Sequence, residues 1–193
     1  MNVEPKIGVI ALQGAFAEHR AALEALGAHV TDIRGPEGVA GLDGIVLPGG
    51  ESTTMSLLLG SSGLGDALAE RLADGVPTFG TCAGLILLAA EVADGRPDQR
   101  SFGVLDVSVL RNGYGRQRDS FEAELSIRAL GSDPFPGVFI RAPRITRVGG
   151  EVEVLASLEG DPVLVRQGPL LAAAFHPELS GDLRLHQLFL ERV

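Results

Sequence analysis

The hydrophobic positions of the chain fall into two textures. In the first half, short unbroken apolar runs alternate with longer stretches at helical spacing. Lys6 to Leu12 is such a run, closed by Gln13-Gly14, and it has the pattern of a parallel strand covered on both faces. The spacing then predicts a helix over about Ala15 to Leu26, ended by Gly27, and a strand over His29 to Arg34. Asp43 to Leu47 reads as the next strand, running into Pro48-Gly49-Gly50-Glu51-Ser52-Thr53-Thr54. Leu57 to Leu59 and Leu64 to Leu72 carry helix spacing around a break at Gly60 to Gly63. Val76 to Phe79 predicts a fourth strand, and Leu85 to Glu91 a helix of good formers. Strands alternating with helices predict an α/β fold of three layers, a mostly parallel central sheet flanked by helices.

After Asp94-Gly95-Arg96-Pro97-Asp98 the runs become shorter and alternate, over Gly103 to Leu110, Ser120 to Ile127, Val138 to Ala142, Glu151 to Leu158 and Pro162 to Arg166. This predicts a smaller antiparallel portion. Leu170 to Phe175 reads as a last apolar strand ending in His176-Pro177-Glu178, and Gly181 to Val193 as a closing helix that Ser180 could cap. No repeat or long linker divides the chain, so residues 1–193 are expected to form a single domain.

Composition narrows the classes of function. A hydrophobic content of 45% supports one sizeable core, and a formal net charge of -9 opposes nucleic acid and anionic membrane surfaces alike. The single cysteine cannot form an intramolecular disulfide, and no Cys/His spacing suggests a metal site. Met1 to Pro5 lacks the pattern of a signal peptide, and no apolar run reaches membrane-spanning length. A soluble, cytoplasmic protein without metal or cofactor is the expectation.

The candidate chemistry centres on Phe79-Gly80-Thr81-Cys82-Ala83-Gly84, where a strand turns sharply into a helix between two glycines. This is the nucleophile-elbow pattern with Cys in place of Ser, and the N–H groups opening the helix face the sulfur. The stretch alone fits a buried structural thiol equally well. In an α/β sheet ligands gather at the carboxyl ends of strands, where Gln13, Gly49, Gly50 and Cys82 all fall by this reading. The Gly49-Gly50 pair offers approachable backbone N–H groups for an oxyanion hole. His176 and Glu178, two apart at a strand end, would share a face, so that the carboxylate fixes the imidazole. His19, His29 and His186 have no acidic neighbour at that spacing and read as exposed or half-buried structural residues.

Phe79 to Gly84, Leu47 to Thr54 and Phe175-His176-Pro177-Glu178 together resemble the triad-type (class I) glutamine amidotransferases. Leu12-Gln13-Gly14, Arg111-Asn112, Gly115-Arg116-Gln117, Asp119 to Ala123 and Gly137 to Pro143 narrow the resemblance to the glutaminase subunits of pyridoxal phosphate synthase, over about Ile7 to Leu188. Gly113-Tyr114 departs from the Ser-Phe-like pair of that family. The resemblance implies a flavodoxin-like fold and hydrolysis of L-glutamine to glutamate and ammonia through a thioester on Cys82, with His176 and Glu178 completing the triad. Backbone N–H groups of Gly49, Gly50 and Ala83 are the implied oxyanion hole, and Gly50, Glu51, Ser52, Arg111, Ile140 and Arg141 the implied glutamine pocket. Within it Arg111 suits the α-carboxylate, and Glu51 the α-ammonium or an Arg141 pair. The implied partner is a (β/α)8-barrel synthase subunit that takes up the ammonia in a hetero-oligomer, near Gln13. Two alternatives remain open at this level: a cysteine hydrolase or redox sensor of the same elbow-cysteine layout, and a non-catalytic regulatory subunit.

Overall fold

A computed structural model describes residues 4–96, 98–113 and 120–193. The chain opens β1 (Lys6–Ile10), α1 (Phe16–Ala25), β2 (His29–Ile33), β3 (Gly44–Leu47), α2 (Ser52–Ser62), α3 (Leu64–Ala73), β4 (Thr78–Thr81), α4 (Ala83–Leu88) and β5 (Ala89–Val92). It continues β6 (Leu105–Leu110), β7 (Ser120–Leu125), β8 (Phe135–Ile140), β9 (Arg144–Val148), β10 (Glu153–Leu158), β11 (Asp161–Gln167), β12 (Leu170–Ala173) and α5 (Arg184–Leu190).

The central sheet has seven strands in the order β10-β11-β12-β4-β3-β1-β2. From β2 to β12 neighbours run parallel, while β11 and β10 are added antiparallel at one edge. β3 and β12, and β1 beyond Lys6, are apolar runs, and these strands and β4 (Thr-Phe-Gly-Thr) are buried except at Lys6, as strands covered on both faces must be. The expected α/β class with a mostly parallel sheet is therefore the observed one. The second half adds the antiparallel β7-β8 hairpin and a small sheet β5-β6-β9. One hydrophobic cluster reaches from Ile7 on β1 to Phe189 on α5.

Several elements differ from the sequence reading, each for a local reason. The helix expected over Leu85 to Glu91 stops at Leu88, and Ala89 to Val92 instead pair with β6 as a strand; tertiary pairing overrides the helix preference of Ala and Glu. The helix break falls at Gly63 alone, whose φ of 73° ends α2, while Gly60 stays helical with open space around it. Arg144 to Val148 form a strand that was not expected, paired to β6. Ser180 does not cap α5. Its hydroxyl donates to the Pro177 carbonyl at 2.7 Å and accepts from Asp182 N–H at 3.1 Å, before a shorter helix that begins at Arg184.

Candidate active site

Cys82 follows β4, the strand at the middle of the sheet, and holds φ 49° and ψ −102°. That conformation is costly for a residue with a Cβ and persists only where the surroundings over-determine it. They do: Cys82 N–H donates to the Ala173 carbonyl at 2.8 Å, and Ile86 N–H returns to the Cys82 carbonyl at 3.3 Å. The flanking glycines are required by close approach. A Cβ on Gly84 would stand 2.0 Å from the Leu47 carbonyl oxygen, and one on Gly80 would stand 2.8 Å from Gly84 backbone. The elbow is thus pressed against the end of β3, where Gly49 and Gly50 follow.

His176 is placed from the other side, its N–H donating to the Val138 carbonyl of β8 at 2.8 Å. Its Nδ1 lies 2.7 Å from Glu178 Oε1. The expected shared face is present, but its cause differs. β12 ends at Ala173, and Pro177 to Leu179 form a single 3-10 turn. Pro177 cannot extend a ladder, and the tight turn folds the carboxylate back onto the ring. Burial lowers the His176 pKa, but hydrogen bonds with Cys82 and Glu178 and the attraction of both groups outweigh it and raise it to about 10. The ring therefore carries a proton at neutral pH, poised between a sulfur and a carboxylate.

A cavity of about 260 Å³ opens over this pair, lined by Gln13, Gly50, Glu51, Ser52, Cys82, Ile86, Arg111, Asn112, Ile140, Arg141 and His176. Every residue expected for the glutamine pocket is brought to it. Cys82 is 7% exposed and reaches the cavity by its sulfur edge, 3.9 Å from the Ile140 carbonyl. Glu51 caps α2, its carboxylate accepting from Thr53 N–H at 3.0 Å and Thr54 N–H at 2.7 Å. Burial opposes its charge, yet the hydrogen bonds from Thr54 and Thr53 hold its pKa down at about 2. The arginine that meets Glu51 is Arg111, Nη2 to Oε1 at 3.3 Å, and not the Arg141 of the sequence reading. Arg111 Nε is buried without a partner among the described residues, a donor left for a ligand that enters the cavity. Arg141 is exposed at the rim with φ 43°, the second strained residue of the site.

The Gly49-Gly50 turn is held by the segment after β1. The Gly49 carbonyl accepts from Ala15 N–H at 3.3 Å, so the trans peptide turns the Gly50 N–H the other way. A Cβ on Gly14 would stand 1.7 Å from that carbonyl oxygen, and one on Gly49 would strike the His176 ring at 2.4 Å. Gln13 Oε1 accepts from Glu51 N–H at 3.0 Å, which ties the first loop to the pocket wall. Ala83 opens α4 directly beyond the nucleophile candidate.

Sequence reasoning missed four residues around the site. Ile86, expected only as part of the helix after the elbow, also lines the cavity. Gln99 steadies the wall by donating to Ser52 Oγ at 3.2 Å. His19 and His186 are fully buried rather than exposed or half-buried, and no neighbour in sequence betrays it; His29 is exposed as expected. Gly115-Arg116-Gln117, Tyr114, Arg118 and Asp119 lie outside the described residues. Among the described residues no group of His, Cys, Asp and Glu is arranged to hold a metal ion, and no helix is long and apolar enough to cross a membrane.

Known proteins resemble the chain over nearly its whole length. The chain is similar to the pyridoxal 5′-phosphate synthase subunit PdxT of Mycobacteroides abscessus, 53% identical over 191 residues, covering 99% of this chain and 98% of that one. PdxT of Thermotoga neapolitana is 52% identical, with 97% and 99% covered. A solved structure described as a glutamine amidotransferase superposes with a TM-score of 0.90 at 50% identity, over 96% of this chain and 97% of that one. PurLQS of Thermotoga maritima shares the fold at 16% identity, with a TM-score of 0.71 over 98% of this chain and 99% of that one. Residues 9–193 match the family model, and the chain belongs to the SNO glutamine amidotransferase family.

Proposed function

We propose that the chain is the glutaminase of a pyridoxal 5′-phosphate synthase, hydrolysing L-glutamine to glutamate and supplying the ammonia for vitamin B6 synthesis. The observation that carries this reading is His176 held between Cys82 and Glu178 at the floor of a cavity walled by Glu51 and Arg111. Glutamine needs a nucleophile for its amide carbon, a cation for its α-carboxylate and an anion for its α-ammonium, and the cavity supplies each.

In this mechanism the Cys82 sulfur attacks the side-chain amide carbon, and negative charge collects on the amide oxygen. Backbone N–H groups of Ala83, Gly49 and Gly50 are assigned to that oxyanion, each donor contributing about 2.7–4 kcal/mol to the transition state. Collapse expels ammonia with the proton from His176, leaving a thioester. His176, now neutral, takes a proton from water, which attacks the thioester; glutamate leaves and the His176 proton is restored. Glu178 holds the ring in the tautomer and orientation this requires. Arg111 is assigned to the α-carboxylate, Glu51 to the α-ammonium, and Gly50, Ser52, Ile140 and Arg141 to the walls.

Gln13 and Gly14 support a partner-linked role for the first loop, since Gln13 bonds Glu51 at the pocket wall and Gly14 packs against Gly49. A separate (β/α)8-barrel synthase subunit docked there would both receive ammonia and finish the oxyanion hole, and weak turnover by the isolated chain is expected on that ground. The single hydrophobic cluster supports one domain for the whole chain. The test is labelling by a thiol-directed glutamine analogue. The reading predicts that it modifies Cys82 and that excess glutamine protects; labelling indifferent to glutamine favours a redox or unrelated hydrolytic thiol.

A further inference from the structure

Behind the triad, on the side away from the cavity, lies a sealed polar cluster for which the mechanism above has no use. His19 on α1, His186 on α5 and Thr81 at the end of β4 are all fully buried, and the Glu178 side chain is equally inaccessible. His19 Nδ1 is 2.9 Å from His186 Nε2, and His19 Nε2 is 3.0 Å from Thr81 Oγ1. The same Nε2 is 3.3 Å from Glu178 Oε2, the carboxylate oxygen that His176 does not use and that has no hydrogen bond of its own among the described residues. Phe79 walls the pair, its ring edge-on to His19 at 6.1 Å and to His186 at 5.8 Å. Two imidazoles beneath an apolar sheet are costly to bury unless their hydrogen bonds are made.

The protons of this cluster can be assigned. Burial, then His186 and His176, hold the His19 pKa well below its usual value, and burial lowers His186 to about 4, so both rings are neutral. Each then carries one N–H. If His19 held it on Nδ1, its Nε2 lone pair would face the Glu178 carboxylate, and His186 would be left with a buried N–H at Nδ1, an atom with no partner. If instead both rings are protonated on Nε2, His186 donates to His19 Nδ1 and His19 donates toward Thr81 and Glu178. The groups then left short are acceptors, His186 Nδ1 and Glu178 Oε2 with the His19 N–H 3.3 Å away, which is a cheaper omission than a buried N–H without a partner.

We propose that His19 is a positioning residue for hydrolysis at Cys82, a neutral imidazole whose Nε2–H bonds Thr81 and at 3.3 Å faces the second oxygen of Glu178, restraining that carboxylate from behind by packing and attraction, fixed in that tautomer by His186. The inference rests on the glutaminase reading and adds to it. A neutral donor restrains the carboxylate without cancelling its charge, so Glu178 keeps its full attraction for the His176 proton. A cation in the same place would compete for that charge. Thr81 couples the arrangement to the nucleophile, because it immediately precedes Cys82 on the same strand and pairs with Ala173 of β12.

The experiment uses the chain together with its synthase subunit, and compares His19→Leu with His19→Gln, whose amide N–H lies near the place of Nε2. His19→Leu is expected to lower kcat for glutamine roughly 10- to 100-fold, the size of effect that misplacing a catalytic group carries. KM should change less than about twofold, since no contact to substrate is removed. His19→Gln should recover most of the loss, and the titration midpoint of His176 should fall in the Leu variant and return in the Gln variant. A folded His19→Leu protein with kcat within about twofold of the parent, or with His176 titrating as before, overturns the inference. Nitrogen-15 spectra of the histidines in the unaltered protein decide it without any substitution: Nε2–H at His19 is expected, and Nδ1–H there contradicts it. Glutamine hydrolysis that survives Cys82→Ala would sink the glutaminase reading itself and the role of His19 with it, whereas activity that needs Cys82 but ignores His19 sinks only this inference.

Discussion

The two sides of the His176-Glu178 pair are built on opposite principles. The front is an open cavity of charged and strained residues: Glu51 with Arg111 nearby, Arg141 at positive φ, and Cys82 at φ 49°. The back is a closed chamber in which His19, His186 and Thr81 are fully buried and bonded in a chain through His19, with His186 Nδ1 left without a partner among the described residues. The front holds charge that a ligand can meet; the back holds neutral rings that keep a single carboxylate still. One histidine is thus protonated to about pH 10 while two others nearby are held neutral: burial lowers all three, and at His176 alone the hydrogen bonds and attraction of Cys82 and Glu178 outweigh it.

The sharpest way to break that contrast is to remove the charge that both sides share. Glu178→Gln leaves the shape but takes the anion away, and kcat for glutamine should fall by up to roughly 10⁴-fold, as for the corresponding change in serine triads. NMR titration of His176 should then show a midpoint well below the about 10 of the parent. The sign for stability follows. A pKa raised from 6.5 to about 10 on folding contributes stability that is complete below pH 6.5 and lost as pH rises toward 10. Glu178→Gln should flatten that decline in denaturant titrations across the window, and an unchanged slope would contradict the assignment.

A smaller effect sharpens the front side alone. Arg111→Ala should raise KM for glutamine by roughly 10- to 100-fold, because a hydrogen bond to a charged group contributes about 1.5–3 kcal/mol. Arg111→Lys should restore little, as an ammonium cannot reproduce the fork. Steady-state kinetics with kcat affected far more than KM would instead place Arg111 among the structural residues of the Glu51 turn.

The same contrast explains what could be read from the sequence. Front-side residues sit in contiguous segments whose chemistry is local: glycines around Cys82, the Gly49-Gly50 turn, and Arg111 and Arg141 in segments that carry the family resemblance. Most of the parallel sheet was legible because β3 and β12, and β1 beyond Lys6, are apolar throughout. Back-side residues come from α1, β4, α5 and the turn after β12, so His19 lies 167 positions from the His186 it touches, and only the folded sheet brings them together. Ala89 to Val92 failed for a related reason. A run of good helix formers carries no sign that a strand 16 residues on, beginning at Leu105, will pair with it. His176 and Glu178 were paired correctly for an imperfect reason, since a proline-led turn, not strand alternation, aligns them.

On this mechanism, ammonia for vitamin B6 synthesis is expelled from glutamine as the thioester on Cys82 forms. That step is tested most directly by assembling the Cys82→Ala chain with the synthase subunit and measuring pyridoxal 5′-phosphate formation from glutamine and, separately, from ammonium salts. The account predicts loss of the glutamine-dependent rate, on the order of 10⁴-fold or more as for removal of a triad nucleophile, with the ammonia-dependent rate intact. Persistence of the glutamine-dependent rate would contradict it.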